Sequence, residues 1–127
     1  MDDYKKNFTH FKIHTQYSIC EGAIKISDLA KFCKEKKINA IGLSDSFNLC
    51  GALEFSEEIS KVKTQPIIGS QINFQFNELI GKIPIFAKTE KGFKNLTKLS
   101  SKSFLEVKAS QTPHCNIADL MENNEDL

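Results

Sequence analysis

The sequence predicts an α/β domain whose sheet is mostly parallel with one antiparallel hairpin, and three observations carry that expectation. Apolar segments of strand character alternate with amphipathic helical segments in the order strand, helix, strand, helix, strand, the βαβ signature. The segment "INAIGLSD" is a short, nearly continuous apolar run of the kind found in parallel strands buried on both faces. Finally, "PIIGSQINFQF" and "IPIFAKT" are separated only by the short polar break "NELIGK". A crossover helix does not fit in so short a connection, so these two strands are antiparallel.

Taken in order, "FTHFKIH" from Phe8 to His14 alternates as a strand does. It places His10, Lys12 and His14 on one face and Phe11 with Ile13 on the other, save for a register irregularity. Glu21-Gly22 reads as a turn. Ser27 is the expected N-cap of a helix carrying Leu29, Ala30, Phe32 and Cys33 to about Lys37, with a last turn rich in lysine as the helix dipole favours. After the buried strand, Asn48 to Gly51 opens a second helix with Leu53, Phe55 and Ile59, ending at Lys61. Pro66 starts the next strand. Thr89 caps a helix with Phe93, Leu96, Leu99 and Phe104 spaced for one buried face, and Asn116 caps a short helix in "NIADLMENNEDL". The pattern then stops after a helix with no further strand, so the chain reads as one globular unit or a piece of one, without a visible internal boundary.

Composition narrows the function classes. At 127 residues and 40% hydrophobic composition the chain supports one modest core. A formal charge of +1, from 17 basic against 16 acidic residues, favours no polyanionic or membrane partner globally. Every basic residue is lysine. Without arginine the chain lacks the fork that reads guanine edges bidentately. Cys20, Cys33, Cys50 and Cys115 have neither disulfide-framework nor zinc-ligand spacing, which predicts reduced thiols in a cytoplasmic protein. No apolar run approaches the roughly 20 residues of a membrane span. His10 is expected to bond locally, and His114 and Cys115, being adjacent, are not expected to form a catalytic pair. Lys94, Lys98 and Lys102 recur at helical spacing as a solvated face, or one that brushes a phosphate backbone or partner.

Three polar residues, His14, Asp45 and Gln71, each end an apolar strand run. In an α/β sheet this gathers them at the carboxyl edge, where active sites of such folds lie. Here the segments "HFKIHTQYSICEGA", "AIGLSDSFNLCGALEF", "QPIIGSQINF" and "FAKTEKGFKNLTKLSSKSFLE" resemble, in order and spacing, the N-terminal polymerase-and-histidinol-phosphatase (PHP) domain of bacterial DNA polymerase III alpha subunits. The resemblance covers nearly all of residues 1–127 and implies the first half of a distorted (β/α)7 barrel, the polymerase domains themselves being absent from this stretch. Metal-binding members of that family use a His-x-His pair, an Asp-His pair and a glutamate. Position by position these fall on Lys12 and His14, on Asp45 and Ser46, and on Gln71, so three of five ligands are replaced.

A protonated lysine has no lone pair and repels a cation, serine is a weak neutral ligand, and glutamine offers one uncharged oxygen. His10, four strand residues from His14, sits about 13 Å away and cannot share an ion with it. The expectation is a vestigial site at Lys12, His14, Asp45, Ser46 and Gln71, with no catalytic residue, metal or cofactor of its own, and with Lys12 either paired to Asp45 in the metal's place or reaching solvent. The resemblance further implies a non-hydrolytic module of a replicative polymerase that stabilises the enzyme and docks its proofreading exonuclease subunit and other replicase subunits. Mg2+ and DNA would then be engaged by the parent polymerase, without a membrane partner. The alternatives are a metal-dependent phosphoesterase or 3'-5' exonuclease, favoured by the retained His14 and Asp45, and an α/β binding domain unrelated to replication.

Overall fold

The computed structural model describes residues 8–127. It contains β1 (His10–Ile13), α1 (Ile26–Lys36), β2 (Ala40–Ser46), α2 (Ala52–Lys61), β3 (Gln65–Phe76), β4 (Leu79–Phe86), α3 (Glu90–Leu105), β5 (Cys115–Asn116) and α4 (Ile117–Glu122). The strands lie in the order β1, β2, β3, β4, with β5 also paired to β3, and curl as an open half-barrel. β1 with β2, β2 with β3 and β3 with β5 are parallel; β3 with β4 is antiparallel, as the short connection demands.

The register explains where the helices go. Leu43 pairs with Ile68, and Ile68 packs against a core of Ile26, Leu29 and Cys33 from α1, Ile41 and Leu43 from β2, and Phe55 and Ile59 from α2. Four residues on, Ile72 belongs to a second core with Phe74, Ile85 and, from α3, Leu96 and Leu99. Side chains an even number of residues apart on a strand share a face, so α1, α2 and α3 all cover one side of the sheet. The other side carries a groove of about 760 Å³ lined by Phe11, Ile67, Pro84 and Phe86 and flanked by Leu120 and Leu127.

Several local expectations are corrected. β1 is shorter than the predicted strand, and its register with β2 breaks between His10 and Ile13. Ile13 consequently packs on the α1 core while the Phe11 ring meets Phe86 edge to face at 5.3 Å between centroids, so these two residues do not share a face. Gly42 makes the break feasible, because a Cβ there would lie 2.8 Å from the Phe11 backbone. Ser27 lies inside α1, whose N-cap is Lys25. The β3–β4 turn is only Asn77 and Glu78, and Leu79 to Lys82, expected in the polar break, continue the ladder. Exposed Leu79 and Ile80 are there for pairing, not burial. α3 buries Gly92, Leu96, Leu99 and Ser103, a cleaner i, i+4, i+7, i+11 stripe than the one read from Phe93 and Phe104, both of which are exposed. Leu53 is likewise exposed on α2. Between α3 and α4, where the sequence pattern marks no strand, β5 forms, with Phe74 opposite Cys115.

Caps and lysines behave more simply. Thr89 Oγ1 accepts from the Gly92 N–H at 3.2 Å, and Asp119 accepts from the Asn116 N–H at 2.8 Å, so α3 and α4 begin where expected. Lys94 pairs with Glu90 on the surface, but Lys98 donates to Asn123 at 2.7 Å and Lys102 bridges to Asp119 at 2.5 Å. Those two lysines clamp α4 to α3 and are not a free solvated row. The four cysteines are free thiols; Cys33 and Cys115 are buried, Cys20 and Cys50 exposed. No helix among the described residues is long and apolar enough to cross a membrane.

Candidate functional site

The carboxyl ends of β1 and β2 converge beside the middle of β3, where Gln71 pairs with Ser46, so Gln71 is not at a strand end as expected: β3 runs on to Phe76 because β4 extends its ladder. The turn from His14 to Gly22 folds over this edge. Gly22 is required there: any Cβ would collide with the carbonyl oxygens of His14 and Thr15. Thr15 forms a lone parallel bridge to Ile24, which closes the turn into a loop. That loop delivers its polar groups to the end of β2.

Asp45 is the centre of this arrangement and is fully buried. Its carboxylate accepts from the Thr15 N–H at 2.6 Å, from Thr15 Oγ1 at 2.7 Å and from Ser18 Oγ at 2.7 Å. Charge-assisted bonds of this kind are the strong ones, and three of them offset the cost of burying an anion. Ser18 has only one hydroxyl proton, which Asp45 receives. Ser18 Oγ therefore accepts from the Ser46 N–H at 3.0 Å and from His14 Nδ1 at 3.3 Å. This assigns the proton of neutral His14 to Nδ1.

A second network lies beside it. Ser46 Oγ donates to Glu21 Oε2 at 2.5 Å, so it can only accept from Gln71 Nε2, at 3.3 Å. The amide orientation of Gln71 follows from that, and its Oε1 is a buried acceptor with no partner among the described residues. Glu21 also meets Lys82 Nζ at 3.4 Å and His14 Nδ1 at 3.9 Å. The Ser46 hydrogen bond, with the Lys82 charge and bond and the nearby His14 assisting, holds the Glu21 carboxyl below the usual carboxylate range despite its partial burial. Farther out, Tyr17 donates to Glu54 at 2.5 Å, and that bond raises the phenol above its ordinary value.

The predicted residues divide into three groups. His14 and Asp45 are joined through Ser18, and Ser46 and Gln71 are joined directly. Asp45 and Gln71 do not bond to each other, because Asp45 pairs in register with Ser70 while Gln71 pairs with Ser46, on the opposite face of the sheet. Lys12 is exposed, and no ion pair among the described residues links it to Asp45. The carboxylate is neutralised by hydroxyls and a backbone amide instead. Sequence reasoning missed Thr15, Ser18, Glu21 and Lys82. The first three sit in the same stretch as His14, and their hydroxyl and carboxyl groups within a tight Gly-ended turn were the available signal. Lys82 had none, since only the hairpin register brings it across from β4. His10 meets Phe8 edge to face, and His114 bonds to the Thr112 carbonyl while Cys115 donates to the Leu99 carbonyl, so neither histidine joins the site.

Compared with known proteins, residues 10–127 match the model of the PHP domain family. The DNA polymerase III subunit alpha of Rickettsia felis is 35% identical over 124 residues, spanning 97% of this chain and 10% of that protein. That of Borreliella burgdorferi is 36% identical over 114 residues, 81% of this chain and again 10% of the relative. The chain thus spans about a tenth of the length of the curated relatives it matches. Among solved structures, a proposed metal-dependent phosphoesterase from Bifidobacterium adolescentis shares the fold, with a TM-score of 0.60 over 75% of this chain and 32% of the other at 12% identity.

Proposed function

The chain belongs to the PHP domain family, and from that premise we propose that it serves as the N-terminal PHP module of a replicative DNA polymerase, a structural and docking unit without hydrolase activity of its own. Homology to the polymerase III alpha subunit over nearly the whole chain supports its place in replication. The polymerase chemistry, with its Mg2+ and its DNA, would reside elsewhere in the longer protein, and the proofreading exonuclease is the partner such a module would dock.

The observation that carries the non-hydrolytic reading is the state of Asp45. Both carboxylate oxygens are occupied by donors from Thr15 and Ser18, within a fully buried network. A divalent ion needs several oxygen or nitrogen lone pairs aimed at one point. Here Lys12 supplies none, Ser46 directs its proton to Glu21, Glu21 is engaged by Lys82, and Gln71 turns its amide N–H toward Ser46. The residues present do not fit the family's metal cluster.

Metal analysis of the full-length protein after incubation with manganese or zinc, run beside a nuclease assay, tests this. Substoichiometric metal and no hydrolysis are expected. Stoichiometric metal with hydrolysis abolished by Asp45→Asn would replace this reading with the phosphoesterase one.

A further inference from the structure

We infer that the opposite end of β2 and β3, where α1 and α2 terminate, is a docking surface for the phosphate backbone of duplex DNA. Both helices run antiparallel to the strands they precede, so their carboxyl ends meet at the amino edge of the sheet, away from Asp45. The two helix-to-strand loops are tied together: Thr64 Oγ1 donates to the Ile38 carbonyl at 2.8 Å, and the Gln65 N–H donates to the Asn39 carbonyl at 2.8 Å. Adjacent loops thereby bring Lys34, Lys36, Lys37, Lys61 and Lys63 to one end of the fold, all exposed. Glu58 pairs with Lys61, and Glu57 and Glu35 are the other acidic residues nearby in the chain, while Lys34, Lys36, Lys37 and Lys63 have no ion pair among the described residues.

Two of these lysines, Lys37 and Lys63, lie past the last residues of the helices and stand in the loops themselves. Lys37 and Lys63 both adopt left-handed backbone, with φ of 52° and 62°. Asparagine tolerates this backbone better, as Asn77 does at φ 54° in the β3–β4 turn, although Cys20 and Phe47 also adopt it, each at φ 64°. The chemistry of lysine suits a duplex backbone: point charges without the fork of arginine bind phosphates without reading base edges. The choice of DNA among polyanions rests on the reading of the preceding section.

The test is fluorescence anisotropy of this protein with a duplex of arbitrary sequence across a salt series. Lys37→Asn with Lys63→Asn is expected to weaken binding about tenfold at about 50 mM salt and to make the salt slope shallower by about two. The thermal midpoint should be unchanged or higher, since asparagine suits the left-handed backbone, which separates lost contacts from lost folding. Lys94→Gln, on a different surface and paired with Glu90, should leave affinity unchanged. Affinity and slope insensitive to the double variant, or no binding by the parent protein at low salt, would overturn the inference. So would vesicles of anionic lipid, or inorganic phosphate, engaging the same lysines as tightly as the duplex. The metal content at the Asp45 end is measured independently, so failure of one reading is distinguishable from failure of the other.

Discussion

The two ends of β2 hold charge in opposite ways. At the carboxyl end Asp45 is buried and receives three hydrogen bonds, and every neighbouring hydroxyl proton is committed. At the amino end the lysines are exposed, and four of them have no ion pair among the described residues. A buried charge must be satisfied internally and becomes part of the fold, whereas an exposed one is satisfied by water and stays available to a partner.

The comparison breaks most readily at Asp45. Asp45→Ala leaves the Thr15 amide and two hydroxyls without an acceptor in a buried position, and a loss of about 3 kcal/mol is expected in urea denaturation. Lys12→Met should change stability by less than about 0.5 kcal/mol, because Lys12 is exposed and unpaired with Asp45. A large effect there would return Lys12 to the buried pocket and reverse the contrast.

Cysteines sharpen the same point within one residue type. Burial pushes the Cys115 thiol up to about 11, and Cys33 is raised for the same reason. Between the ordinary thiol value of about 8.5 and that raised value, the folded chain keeps a proton the unfolded chain has lost, so stability falls as pH rises through the window. Cys115→Ala should remove part of that alkaline slope, with Cys33 retaining the rest. In the native protein at neutral pH an alkylating reagent should modify Cys20 and Cys50 well before Cys33 and Cys115.

A small effect is also expected at Gln71. Replacing it with leucine removes a buried acceptor that has no partner along with one long bond to Ser46, so stability should shift by less than about 1 kcal/mol. A loss well above that would mean that Oε1 is satisfied by a group absent from this chain.

Much of this was legible before the fold was in view. Periodicity located β2, α2, β3 and α3 within a few residues, because apolar spacing is a local property and burial follows it. The short connection implied the antiparallel pair for the same reason. Phe11 and Ile13 were misassigned to one face because the bulge that separates them depends on Gly42 meeting the Phe11 backbone, a contact between residues remote in sequence. Glu21 read as a turn residue, and nothing near Lys82 indicated a role in the site.

By itself, the sequence determined the fold class, the family resemblance, and that His14 and Asp45 lie at strand ends, since each is encoded in local pattern; it misplaced Gln71, which lies in the middle of β3. Only the tertiary structure decided which donors satisfy Asp45, that Lys12 is not among them, and that lysines from two helix ends share a surface. The physical reason is that a hydrogen bond has a reach of about 3 Å. Which groups come within that reach is set by strand register and loop closure across many residues, and no spacing along the chain records it.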